Sequence, residues 1–198
     1  MYKRQENYYS IALPGSGDHS VVRSLVQDNE GVIWVGTAEK GCYSVREVEG
    51  LEYAVTYHDL FGEAYGVFAL EIVGEDEVWV GTKGHGVVTI NGSGSVSKVQ
   101  VKDSDGFVDI PFVRSIVANE SEVWLGSQST GLYQISGNQV NEIKVENGLG
   151  SNHVVSLFVD SEDKVWCGHL DNGLSILKNN GIWKISKEEG MSSNAVWS

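Results

Sequence analysis

Proline, cysteine and basic residues are scarce in this sequence. Its 198 residues include two prolines, two cysteines and 14 lysines plus arginines, against 27 aspartates plus glutamates, so the net charge is -13. Because no basic cluster appears, the composition argues against nucleic acid and against an anionic membrane surface as partners. The sequence also lacks an apolar run of membrane-spanning length and a recognisable signal peptide.

The two cysteines are too few for a disulfide framework. Cys42 and Cys167 stand where the other copies of the repeat described below have valine or leucine. A free cysteine commonly behaves as a small hydrophobic residue. We therefore predict buried, unpaired thiols instead of a disulfide or a nucleophile, and the redox compartment stays open.

Sustained helical spacing with caps is absent as well, and a fourfold repeat takes its place. Tryptophan flanked by aliphatic residues recurs at spacings of 45, 45 and 42 residues, at Trp34, Trp79, Trp124 and Trp166. A glycine follows each of them seven residues later, at Gly41, Gly86, Gly131 and Gly173. Internal periods of this length indicate solenoids or propellers, in which each unit covers its apolar faces by stacking on copies of itself.

One period contains four short runs rich in valine, isoleucine, tyrosine and threonine, separated by clusters of Asp, Asn, Glu and Gly that suit hairpin turns. The second run has consecutive apolar residues, as in Ile33, Trp34 and Val35, which indicates that both faces of this strand are covered. A repeated four-stranded antiparallel meander is the blade of a β-propeller. We predict an all-β fold, a partial β-propeller of about four four-stranded antiparallel blades in an open arc.

The strand order also predicts the boundaries. Residues 6–17 are expected to be the outer strand of a preceding blade, and residues 194–198 the start of a following one, so the sequence is interpreted as an internal piece of a longer protein. Residues 1–5 resemble a cloning scar and are left out of the fold. The blades are predicted at 18–62, 63–108, 109–150 and 151–193.

The repeated tryptophans allow two interpretations. Indole rings stack on sugars, but these rings lie in mid-strand between aliphatic residues, which favours packing between blades. Truncating such a buried ring costs about 3 to 5 kcal/mol, and that is the loss we expect for Trp124→Ala. The glycines two residues after the tryptophans are expected to allow close backbone approach beside the indole: Gly36, Gly81, Gly126 and Gly168.

Acidic residues concentrate in the turns between the first and second strands, in "DNEG", "GEDE", "NESE" and "DSED". Oxygen ligands of this kind could hold calcium. However, four hairpin tips on neighbouring blades cannot converge on one ion, and none has the spacing of a calcium loop. We therefore predict solvated turns and no metal site.

The candidate ligand-binding residues lie on the loops after the second and fourth strands, which share one side of an up-and-down meander. Their side chains vary while their glycines recur, as expected for a rigid scaffold that carries a variable surface, although ordinary solvated loops would look the same. No histidine has metal-type or catalytic spacing, so no catalytic residue, metal or cofactor is predicted. The candidates are His19, Tyr65, Lys83, His85, Gln128, Asn152, His153, His169 and Asp171.

The segments "VVRSLVQDNEGVIWVGTAEKG" and "VVSLFVDSEDKVWCGHLDNGL", with "NGLGSNH" before the second and "EGMSSNAVW" after it, resemble the two-component regulator propeller repeats over residues 18–198. The second copy departs most, with Ala69 at the serine of the Val-x-Ser-Leu start, and the third is one residue shorter. The resemblance implies a periplasmic sensor region of a hybrid histidine kinase. It also implies a small-molecule or oligosaccharide ligand, the remaining blades as intramolecular partners, and a homodimer of the longer protein.

Two other functions compete with a non-catalytic sensor. One is a propeller enzyme similar to streptogramin lyases or sialidases, since the "D-x-x-G-x-x-W" turn resembles the sialidase Asp-box. Arg23 and Arg114, both on innermost strands, would be its only suitable cations. The other is a protein-interaction scaffold. A membrane span and a kinase core downstream in the gene would favour the sensor.

Overall fold

The computed structural model of the chain describes residues 10–15, 21–48, 52–63, 65–102, 106–108, 110–179 and 181–197. His19 and the predicted scar at 1–5 lie outside these residues. So do 6–9 and 16–17 of the predicted outer strand, and its described part, 10–15, contains no strand.

The described residues form four antiparallel meanders. The first is β1 (Val22–Gln27), β2 (Ile33–Thr37), β3 (Cys42–Val48) and β4 (Glu52–His58). The second is β5 (Val67–Val73), β6 (Glu77–Thr82), β7 (Val87–Ile90) and β8 (Val96–Lys98). Two short strands, β9 (Val101–Lys102) and β10 (Phe107–Val108), come before the third, which is β11 (Val113–Ala118), β12 (Val123–Ser127), β13 (Leu132–Ser136) and β14 (Gln139–Ile143). After a 3-10 turn (Val145–Asn147), the fourth is β15 (Val154–Val159), β16 (Val165–His169), β17 (Leu174–Lys178) and β18 (Gly181–Ile185).

Each meander is one sheet in chain order, and the third is widened by β9 and β10 at its outer edge. The innermost strands β1, β5, β11 and β15 lie next to one another in succession. The prediction of an all-β partial propeller with four blades in an open arc is therefore confirmed. We call these four sheets blades one to four.

The blades approach most closely at the glycine that follows each tryptophan by two residues. A Cβ on Gly126 would lie 2.8 Å from the Val154 side chain of the next blade, and one on Gly81 would lie 2.9 Å from Val113. Gly36 meets Val67 and Gly168 meets Val196 in the same way. The close approach that we predicted therefore exists. A Cβ at these positions would meet a valine of the next innermost position, and in blades one, three and four also a serine hydroxyl of the same blade, but not the indole.

The core consists of layers between successive blades. Trp34 packs with Val67 and Val80 of blade two, and Trp79 packs with Val113 and Leu125 of blade three. Trp124 packs with Val154 and Val165 of blade four, whereas Trp166 is only half-buried. The indoles of Trp34, Trp79 and Trp124 thus fill the layers between their own blade and the next.

Both cysteines are buried and free, as predicted. Cys42 lies in the layer between blades one and two, and Cys167 in the layer between blades three and four. Burial raises the pKa of Cys42 to about 12 and also raises that of Cys167, so both thiols stay protonated and serve as packing groups.

The acidic turns are largely exposed, as predicted, and three of their carboxylates also accept hydrogen bonds from the indoles. Asp28 accepts a hydrogen bond from Trp34 Nε1 at 2.9 Å, and Asp160 accepts one from Trp166 Nε1 at 2.8 Å. Glu77 accepts one from Trp79 Nε1 at 2.7 Å. The shorter third turn places no acceptor at Trp124, whose buried indole nitrogen has no partner. These carboxylates therefore hold the indole rings in place.

Candidate functional site

The loops after the second strand of each blade and the loops between blades lie at one end of the arc, which we call the loop face. Backbone hydrogen bonds tie these loops together. Ala38 N–H donates to Val21 O at 2.9 Å and Lys83 N–H to Gly66 O at 2.9 Å. Gln128 and Leu170 make the same bond in blades three and four. The loop face is therefore a hydrogen-bonded rim on a rigid scaffold.

The glycine seven residues after each tryptophan belongs to this rim. Gly41, Gly86, Gly131 and Gly173 all have φ between 67° and 104°, the left-handed region that glycine adopts without strain. From this conformation Gly41 N–H donates to Tyr65 O at 2.9 Å, and Gly173 N–H to Asn194 O at 2.7 Å. The recurrence of this glycine therefore has a structural cause.

Two of the sequence candidates are buried beneath the rim. Tyr65 is 3% exposed; its hydroxyl donates to His58 O at 2.6 Å and accepts from Cys42 N–H at 3.2 Å. Burial raises the pKa of Tyr65, and the phenol stays protonated. Tyr65 thus connects the loop between blades one and two to blade one, and its side chain is not accessible to a ligand at the surface.

His169 is the second buried candidate, at the end of β16. The equivalent positions in the other blades hold buried hydroxyls: Thr37 and Thr82 accept the N–H of Lys40 and His85, and Ser127 accepts that of Thr130. In blade four His169 Nε2 instead lies 2.7 Å from Ser175 Oγ, which also accepts the N–H of Gly150. Burial lowers the pKa of His169 to about 4, so its ring is neutral near pH 7.

The remaining described candidates form two separate groups on the loop face. In blade two His85 stacks on Phe61 at 4.3 Å and lies 3.6 Å from Glu63, next to the exposed Lys83. In blade four His153 Nδ1 lies 3.2 Å from Asp171 Oδ2. The Ser151 hydroxyl, together with His153, holds the pKa of Asp171 below its usual range.

Gln128 is exposed between these two groups, on blade three. Asn152 uses its side-chain oxygen to accept Val145 N–H at 3.0 Å and so orders the preceding turn. None of the described candidates lines one of the cavities described below.

A second site lies on the concave face of the arc. Each innermost strand pairs with its neighbour in regular register except at one residue, where the register shifts by a β-bulge. A bulge turns the side chain of its extra residue away from the ladder, and bulges are frequent next to binding sites. The four bulge residues, which we call the bulge ring, are Arg23, Phe68, Arg114 and Val155.

The bulge ring lines a cavity of about 260 Å³ together with Val21 and Val22. The guanidinium of Arg114 lies over the Phe68 ring, 4.7 Å from its centroid. Burial, and then the positive charge of Arg23, lower the pKa of Arg114, although a guanidinium remains charged at any ordinary pH. The cavity is therefore lined by two arginines, the half-buried Arg114 and the exposed Arg23, and their positive charges repel each other.

Sequence reasoning considered Arg23 and Arg114 only as cations for an enzyme and did not identify this ring. The available signal was the variable second residue of the Val-x-Ser-Leu start, since its neighbours recur while it changes from arginine to phenylalanine to valine. A bulge, however, depends on pairing between strands and is not visible in the residue types.

Two grooves open on the opposite end of the arc, where the hairpin turns lie. One, of about 380 Å³, is between blades one and two beside Trp34. The other, of about 390 Å³, is between blades three and four and is lined by Trp124, Gln134 and Lys178. Both follow from the blade packing, because neighbouring sheets splay apart toward their outer strands.

Comparison with known proteins finds a family model that matches one copy of the repeat. The family model described as "Two component regulator propeller" matches residues 16–39, which include all of β1 and β2 with their acidic turn. This segment therefore resembles one two-component regulator propeller repeat. No curated protein was found to be similar in sequence to this chain.

Solved structures resemble the whole arc. The extracellular domain of BT4673 from B. thetaiotaomicron, described as a one component system, is 24% identical with a TM-score of 0.71 over 88% of this chain. The same domain, described as part of a hybrid two component system, is 23% identical with a TM-score of 0.69 over 85% of this chain. A protein of unknown function from Bacteroides caccae is 15% identical with a TM-score of 0.55. The match covers 86% of this chain and 62% of that protein.

The chain spans 22% of the length of the two BT4673 structures. At these identities the likeness shows the fold. In the part of the chain that the structure describes, no group of three or more His, Cys, Asp or Glu side chains could hold a metal ion. None of the described helices is long and apolar enough to cross a bilayer.

Proposed function

We propose that this chain is a ligand-sensing propeller segment of a two-component signal-transduction regulator, placed outside the cytoplasmic membrane. The observation that carries this proposal is the match of residues 16–39 to the two-component regulator propeller. It is supported by the fold, which resembles an extracellular domain that is itself described as part of a hybrid two component system.

The ligand we propose is a small glycan-type molecule, bound without being chemically changed. Sensing requires a rigid frame with side chains that differ among the copies, and both the loop face and the bulge ring meet this requirement. At the loop face the polar groups are already paired in part, as in His153 with Asp171, so they are suited to hydrogen bonding of the hydroxyl groups of a sugar.

The proposal is tested with the 198-residue chain and a panel of neutral and charged mono- and oligosaccharides, by thermal shift and by analysis of the recovered sugar. We expect at least one saccharide to raise Tm and to be recovered intact, because a ligand that binds only the folded state stabilises it. Lys83→Ala and Gln128→Ala on the loop face should reduce a shift that depends on this surface. Lys98→Ala on the outer strand β8 is the control and should leave it unchanged.

Two results would contradict the proposal. Cleaved or eliminated sugar would favour the propeller enzyme. A reporter strain that carries the complete regulator and stays silent with the bound saccharide would contradict sensing.

A further inference from the structure

Arg23 and Arg114 are unusual in a chain of net charge -13. No carboxylate of the described residues lies within ion-pair distance of either guanidinium. By contrast Arg46, on β3, pairs with Glu30 at 2.8 Å. An arginine elsewhere in the fold thus has a carboxylate partner, whereas the two arginines of the concave face have none among the described residues.

This arrangement is costly in the free protein. Two like charges that face one cavity repel each other, and the half-buried Arg114 has also lost part of its hydration. The Phe68 ring under Arg114 supplies a cation–π contact and fixes the plane of the guanidinium, but it does not neutralise the charge. A group that is held in place and left unneutralised is suited to receive an anion.

We propose that Arg23 and Arg114 bind the oxyanion group of a small ligand on the concave face of the arc, with Phe68 holding the Arg114 guanidinium in position. This inference deepens the ligand-sensing function proposed above and rests on it, because it assigns a charge to the sensed molecule.

The chemistry of the site selects the ligand class. A planar guanidinium donates two parallel hydrogen bonds to a carboxylate or a sulfate, which a point charge on lysine does not. The cavity of about 260 Å³ is below the usual size range of small-ligand clefts, so the buried part of the ligand is about one sugar ring. The net charge of -13 disfavours a polyanion, and a ligand with one anionic group fits best.

The test is isothermal titration calorimetry of the 198-residue chain at low ionic strength with sodium D-glucuronate, D-glucose and sodium sulfate. We expect glucuronate to bind at least about tenfold more tightly than glucose, because a charge-assisted hydrogen bond is gained. Arg23→Gln and Arg114→Gln should each weaken glucuronate binding about tenfold or more. Arg46→Gln removes the same charge far from the cavity and should leave binding unchanged.

Melting of the same variants separates binding from folding. If the arginines were structural, Arg114→Gln would lower Tm. We expect an unchanged or higher Tm, because the substitution relieves the repulsion from Arg23.

The sulfate arm distinguishes the source of the anion. Displacement of glucuronate by sulfate would support a site that recognises the oxyanion alone, and failure to displace it would support recognition of the carboxylate with its sugar.

Binding of glucuronate that is indifferent to both Arg23→Gln and Arg114→Gln would overturn the site, as would an absence of heat with both anions in a cooperatively folded chain. Binding of a neutral saccharide that ignores both substitutions would overturn it while leaving the sensor function in place. Conversely, if glucuronate binds through the arginines but the complete regulator does not signal, the oxyanion site stands and the sensing function fails.

Discussion

At the residue scale, Trp124 and Trp183 show why the same side chain contributes differently to the stability of this fold at two positions. Trp124 is 5% exposed between blades three and four, and Trp183 on the outer strand β18 is 53% exposed. The buried apolar area and not the residue type therefore sets the contribution of each ring.

We expect Trp124→Ala to lower the free energy of unfolding by about 3 to 5 kcal/mol, because it leaves a cavity in the layer between two blades. Trp183→Ala is the control, and a surface substitution of this kind costs about 0.5 kcal/mol or less. Urea denaturation followed by circular dichroism measures both. Equal losses for the two variants would contradict the packing role of Trp124.

His169 is a second residue whose position gives it a measurable property. It is buried and neutral in the folded chain with a pKa of about 4, against about 6.5 in the unfolded chain. Between these values the unfolded chain takes up a proton that the folded chain does not. The stability that depends on neutral His169 is therefore present above about pH 6.5 and is lost as the pH falls toward about 4.

We predict that His169→Thr, which restores the residue of blades one and two, removes about 2 to 3 kcal/mol of this acid-induced loss. The measurement is Tm and urea denaturation from pH 7 to pH 4, with His85→Thr on the exposed loop as the control. Burial raises the pKa of Glu71 to about 7, so Glu71 favours folding at lower pH, but this contribution is common to both proteins and cancels. Identical pH profiles for His169→Thr and the parent would contradict the prediction.

At the scale of elements, the contact between neighbouring innermost strands decides how tightly the blades stack. The glycine in the second strand of each blade removes the side chain that would separate it from the next innermost strand. The third blade offers a test, because a Cβ on Gly126 would meet the Ser115 hydroxyl of its own blade and the Val154 side chain of the next one.

We expect Gly126→Ala to destabilise the fold by about 1 to 3 kcal/mol through overpacking against Ser115 and Val154. Val154→Ala opens space on one side of the new methyl group, so the double variant should be less destabilised than the sum of the two single variants. Gly94→Ala lies in a turn where no other atom approaches and is destabilising through its positive φ, but it should be additive with Val154→Ala. If the losses in the free energy of unfolding for Gly126→Ala and Val154→Ala are strictly additive in a double-mutant cycle, the proposed contact is contradicted.

At the scale of the whole molecule, the two terminal blades expose large apolar side chains. Leu25 on blade one and Phe158 on blade four are each 63% exposed, and Trp183 is 53% exposed. Exposed large apolar side chains of this kind are typical of surfaces that contact other protein.

We therefore expect the 198-residue chain to associate in a concentration-dependent way, measured by size-exclusion chromatography with light scattering. Leu25→Lys and Trp183→Lys should shift the population toward monomer. Val96→Lys changes an exposed valine of an interior blade and should not. A sharp, cooperatively melting monomer at all concentrations would contradict the expectation.

The sequence alone determined the repeat, the strand order and the identity of the packing residues. These depend on local spacing: a tryptophan between aliphatic residues must be covered, and a glycine seven residues later must end the turn. The two cysteines followed the same logic, because they replace aliphatic residues at repeated positions. The loop-face residues could be named for the same reason, since strand order fixes the side on which a loop lies.

Only the tertiary structure decided which of those residues are accessible and which side chains meet. Tyr65 and His169 share loop sequences with exposed residues but are buried, because burial depends on the neighbouring blade. The β-bulge that places Arg23 and Arg114 in one cavity arises from pairing between strands, and the two residues are separated by a whole blade in sequence. Local sequence carries the period of the fold, whereas the convergence of side chains across blades exists only once the blades are stacked.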